Sequence, residues 1–100
     1  MTNSGGDYRL KCYFTGTQER NFELLCGSLK GHSVNDSLKH GEKAKEFVFV
    51  IEGNLEMRTG AGNYSLKERD ALMFDASKNH SYVNSCDGEA RFMILNYYPD

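Results

Sequence analysis

Proline occurs once in these 100 residues, as Pro99, and tryptophan is absent. A single proline beyond the last apolar run means that no candidate strand loses a backbone donor to an imino ring. No apolar run approaches the roughly 18 residues of a membrane-spanning helix, so nothing here is expected to cross a bilayer that way. The polar opening MTNSGGD lacks the apolar middle of a secretory signal. A basic excess is missing too: 12 Lys and Arg face 14 Asp and Glu, for a net charge of −2 and a pI near 5.9. Without a basic face the chain is not expected to grip a phosphate backbone directly. Cysteine is scarce and unpaired in pattern. Cys12, Cys26 and Cys86 are odd in number and form no CxxC, which suggests three free, buried thiols in a reducing cytoplasm.

What remains is strand after strand. At 100 residues the chain matches one domain of about 100–150 residues. Residues 1–7 read as a flexible leader or linker remnant and 8–100 as the domain. YRLKCYF (8–14), NFELLCGSL (21–29), the weaker SVNDSL (33–38), EFVFVIE (46–52), NLEMRT (54–59), NYSLKE (63–68), ALMFD (71–75), HSYVNS (80–85) and EARFMILNYY (89–98) follow one another. Gly53-Asn54 and Asp87-Gly88 suit tight hairpin turns, and Gly60-Ala61-Gly62-Asn63 suits a slightly longer one. No segment holds a helical period over three turns. Short strands with turn signals between them predict an all-β antiparallel sandwich or barrel. EFVFVIE is apolar on both faces and needs cover on both. Its outer cover is expected from the N-terminal strands (8–29) or from a second subunit, hence a homodimer.

The candidate chemistry lies in residues 40–84. His40 and Glu42 share a face of an extended segment, and Glu46 joins them if the extension persists. His80, Tyr82 and Asn84 share a face of a later strand. In a small barrel alternate residues point inward, so the two sets can meet near one mouth. Two imidazoles and two carboxylates would suit a divalent transition metal such as Zn, Fe, Mn or Ni. The metal-free alternative is a pocket in which Glu46 and His80 bond each other or a small ligand. Tyr82 either lines that pocket or is core. His32 reads as a solvent-facing loop residue.

These residues resemble the cupin family. Its first motif, G-(X)5-H-X-H-(X)3–4-E-(X)6-G, is matched by His40, Glu46 and Gly53, with Glu42 at the second His position. Its second motif, G-(X)5-P-X-G-(X)2-H-(X)3-N, is matched by His80 and Asn84. Val34, Arg69, Asp75 and Ser77 stand where the family has Gly, Gly, Pro and Gly. The cadence LKERDALMFDASKNHSYVN is most similar to cupin domains attached to helix-turn-helix domains in Xre-type bacterial regulators.

The resemblance implies an antiparallel double-stranded β-helix, a jelly-roll-like conical barrel. It implies a metal set of His40, Glu42, Glu46 and His80; the same four, with Tyr82 from the strand face of His80, make up the expected ligand site. The function it favours is a cytoplasmic small-molecule-binding domain that senses the effector of a transcriptional regulator. A free-standing, metal-dependent cupin enzyme of the dioxygenase or isomerase type is the alternative.

Overall fold

Alternating side chains decide which face of each strand is buried. In residues 45–52 Glu46, Val48 and Val50 are buried, whereas Phe47, Phe49 and Ile51 are each about two-fifths exposed. The computed structural model describes residues 7–17, 19–37 and 43–99. Among the described residues there are nine strands: β1 (Tyr8–Phe14), β2 (Phe22–Leu29), β3 (Ser33–Ser37), β4 (Lys45–Glu52), β5 (Leu55–Thr59), β6 (Gly62–Leu66), β7 (Ala71–Asp75), β8 (His80–Asn84) and β9 (Ala90–Tyr97). Every candidate strand of the sequence is present, within a few residues of its expected ends.

The strands form two sheets, one ordered β1-β2-β9-β4-β7 and the other β3-β8-β5-β6, with antiparallel pairing throughout. Between them lies a core that includes Leu29, Val48, Val50, Leu55, Met57, Phe92 and Ile94, all but fully buried. Each such side chain contributes about 1.5–3 kcal/mol when removed from water.

Turn chemistry misleads at two places. Gly53-Asn54 and Asp87-Gly88 do not close hairpins, because β4 and β5, and likewise β8 and β9, lie in different sheets. These links carry the chain across the sandwich. A glycine is still required at position 53. Its φ of 83° is left-handed, and a Cβ there would lie 2.6 Å from the Glu89 carbonyl oxygen. The 60–61 link is a true hairpin, tighter than expected, with the Thr59 hydroxyl accepting from the Ala61 amide and donating to the Gly62 carbonyl.

Two further expectations are corrected. β1 and β2 do not cover the outer face of β4; they extend its own sheet beyond β9. Cys12, Cys26 and Cys86 are free, but Cys12 and Cys86 are exposed, one on the edge strand and one in the 85–89 link. Within one chain the outer row of EFVFVIE, Phe47, Phe49 and Ile51, is open to solvent. His32 is solvent-facing in the turn before β3, with a φ of 56°, and its Nε2 lies 2.6 Å from Asp87 Oδ1.

Candidate functional site

The inward phase of β4 and of β8 brings the site together. Glu46 opens the buried face of β4, next to Phe74 on β7 and Asn96 on β9 in the strand register. On β8 the buried face carries His80, Tyr82 and Asn84 in succession. Across the sandwich His80 Nε2 lies 3.2 Å from Glu46 Oε1, with both side chains fully shielded from solvent. The Tyr82 hydroxyl donates a short hydrogen bond to Glu46 Oε2. A T-shaped contact with Phe74, ring centroids 5.0 Å apart, fixes the His80 ring from the side. The Tyr82 ring packs on Phe92 and Tyr8 at 5.5 and 5.8 Å.

Protonation follows from these contacts. The Lys78 carbonyl lies 3.0 Å from His80 Nδ1, and a carbonyl can only accept, so Nδ1 carries a hydrogen. Nε2 faces a carboxylate oxygen, and a second proton there turns a repulsive contact into an ion pair. Burial works against the charged ring, but the Glu46 carboxylate and the Lys78 carbonyl outweigh it and raise the His80 pKa above 6.5. Burial first, then the charge of Glu46, pushes Tyr82 well above the ordinary phenol range. Tyr82 therefore stays a donor at any physiological pH.

Asn84, the second-motif asparagine, has a structural task. Its Nδ2 donates to the carbonyls of Leu29 and Gly88, and its Oδ1 accepts from the Cys86 amide. It thereby fixes the link that carries the chain from β8 to β9.

Of the sequence-expected site residues, Glu46, His80 and Tyr82 are brought together. His40 and Glu42 lie outside the described residues. Among the described residues no three His, Cys, Asp or Glu side chains converge as metal donors; Glu46 and His80 supply two adjacent ones. Three polar residues that sequence reading passed over extend the cluster. Asn96 is 5% exposed, and its Nδ2 donates to Glu23 Oε1 at 3.4 Å. The Tyr98 hydroxyl donates to the same oxygen at 2.8 Å. The signal for Asn96 was the phase of β9, whose buried face runs Ala90, Phe92, Ile94 and then Asn96.

Comparison with known proteins agrees with this geometry. A Cupin domain family model matches residues 29–96. The cupin domain of an XRE family transcriptional regulator from Enterobacter cloacae superposes with a TM-score of 0.88 at 26% identity, covering 94% of this chain and 99% of that one. An HTH_3 family transcriptional regulator from Vibrio cholerae gives 0.86 at 19% identity, and this chain spans about half of it, 52%. That match covers 94% of this chain. A sugar phosphate isomerase of the cupin superfamily from Silicibacter pomeroyi gives 0.64 at 27% identity over 79% of this chain and 52% of that one. No curated protein matches. With the family model spanning more than half of its length and the motif residues Glu46, His80 and Asn84 on the buried strand faces, the chain belongs to the Cupin domain family.

Proposed function

We propose that this domain binds a small polar molecule in its interior and serves as the effector-sensing part of a cytoplasmic transcriptional regulator. The observation that carries the reading is the buried Glu46–His80–Tyr82 cluster, an oriented polar group set within apolar walls. Ligand sites have this composition: apolar walls for affinity and a few fixed polar groups for orientation. The likeness to the cupin domain of an XRE family regulator supports the regulatory context. In this reading the DNA-contacting surface belongs to another part of the regulator.

His40 and Glu42 complete the ligand-facing set in this proposal, and together with Glu46 and His80 they would hold a divalent metal if one is used. A second copy of the chain covers the outer face of β4. There Leu24, Phe47, Phe49, Met73, Met93 and Leu95 line an apolar groove of about 250 Å³. Exposed apolar surface of this kind marks association sites. For regulation, the ligand must favour one of two states of that dimer, since equal affinity for both shifts nothing.

A thermal-shift screen of small polar metabolites against the domain and its His80→Ala variant tests the reading. We expect compounds that stabilise the parent domain and bind the variant at least about tenfold more weakly, the weight of one lost buried hydrogen bond. The enzyme alternative is supported by the likeness to the sugar phosphate isomerase. Stoichiometric uptake of Zn, Fe, Mn or Ni in calorimetry, together with turnover of a sugar phosphate that Glu46→Gln abolishes, would establish it instead.

A further inference from the structure

The inner face of the five-stranded sheet holds polar groups that the Glu46–His80–Tyr82 cluster does not use. In the strand register Asn96 sits directly between Glu23 on one side and Glu46 on the other. Asn96 is 95% buried, and among the described residues its Oδ1 has no hydrogen-bond partner. A buried acceptor left unmet costs about 1–3 kcal/mol, and such groups are rare in folded proteins. Glu23 beside it is half-buried and, among the described residues, receives neutral donors, the Asn96 amide and the Tyr98 hydroxyl. Among the described residues no Lys or Arg lies within ion-pair distance of Glu23. His80, by contrast, stands against Glu46. The row therefore presents two carboxylates flanking an unmet amide oxygen, all of them acceptors.

We propose that Glu23, Asn96 and Tyr98 form a subsite for a primary ammonium group of the small molecule. This rests on the interior-binding reading and names the chemistry of its ligand. An ammonium brings three donors and one positive charge. It answers the Asn96 Oδ1 with a hydrogen bond and the Glu23 carboxylate with a charge-assisted one, which is roughly twice as strong as a neutral bond. A hydroxyl supplies one donor and no charge. A ligand carboxylate would face Glu23, beside which no Lys or Arg lies among the described residues. Tyr98 acts as a positioning residue, holding the Glu23 carboxylate in place from the half-buried rim.

The test is a titration of the ¹⁵N-labelled domain with n-propylammonium chloride, with 1-propanol and with sodium propionate, at matched ionic strength. The Asn96 side-chain amide pair and the Glu23 backbone amide report on the subsite, and the His80 and Tyr82 amides report on the neighbouring cluster. We expect saturable shifts at Asn96 and Glu23 with propylammonium, affinity about tenfold weaker for propanol, and no saturation with propionate. Glu23→Gln, which keeps the shape and the Tyr98 contact, is expected to weaken propylammonium about tenfold while leaving the spectrum folded. Asn96→Leu adds a second, harsher variant. Equal binding of propanol and propylammonium, full affinity in Glu23→Gln, or no saturable shift at Asn96 would each overturn the subsite. Shifts confined to His80 and Tyr82 would overturn it while leaving the interior-binding reading intact.

Discussion

The smallest unit with a consequence is the carboxylate of Glu46, which meets a phenol on one oxygen and an imidazole on the other. Tyr82→Phe keeps the ring that packs on Phe92 but removes the hydroxyl donor. The expected loss is about 1–3 kcal/mol in denaturant unfolding, because the carboxylate stays buried with one partner fewer. His80 gives the site a pH signature. Folding raises its pKa above the ordinary 6.5, so the folded state holds the proton more tightly than the unfolded chain. Its contribution is complete below about 6.5 and is lost as pH rises through the folded value. Stability measured across that window should therefore fall with rising pH, and His80→Gln should flatten the slope. At this scale the sequence showed Glu46, His80 and Tyr82 through motif spacing and period-two alternation. It did not show Glu23 and Asn96, because 73 positions separate them and only the strand register makes them neighbours.

At the scale of elements, alternation made the strands legible and left their sheet membership hidden. A Gly-Asn pair after an apolar run looks the same whether the next strand turns back or crosses to the facing sheet. Gly53 crosses, with its left-handed φ set against the Glu89 carbonyl. Gly53→Ala should cost more than the roughly 1 kcal/mol of the backbone conformation alone, since the methyl also meets backbone. Arg69 is the opposite case. It stands where the resemblance expects glycine, and its φ is 72°. The turn is held by Asp70, whose side chain accepts from the Lys67 amide, and by bonds from the Arg69 amide to the Val50 carbonyl and from the Val50 amide to the Asp70 carbonyl. A left-handed non-glycine residue is disfavoured by about 1–2 kcal/mol. Arg69→Gly should raise the unfolding midpoint by an amount worth up to about 1 kcal/mol, the remainder being offset by the added freedom of the unfolded chain. Thermal unfolding of the two variants side by side checks both signs.

For the whole molecule, the proposed dimer is tested at the exposed outer rows of β4, β7 and β9. Phe47, Phe49 and Met73 are open to solvent in a single copy. Sedimentation is expected to show a species of twice 11.3 kDa, and Phe49→Lys should return it to 11.3 kDa without loss of strand content. A single 11.3 kDa species for the parent chain at micromolar concentration would remove the dimer. The order of strands carries a different consequence, one of time. β9 occupies residues 90–97 yet lies in the middle of its sheet, bonded to β2 on one side and β4 on the other. Until those residues leave the ribosome, β2 and β4 have no common neighbour, and the apolar row of β4 waits with an open edge. Pairings so distant along the chain place refolding in the range of about milliseconds to seconds. The nascent domain is thus exposed to edge-to-edge aggregation through nearly all of its synthesis, and its last strand closes the sheet as a keystone closes an arch.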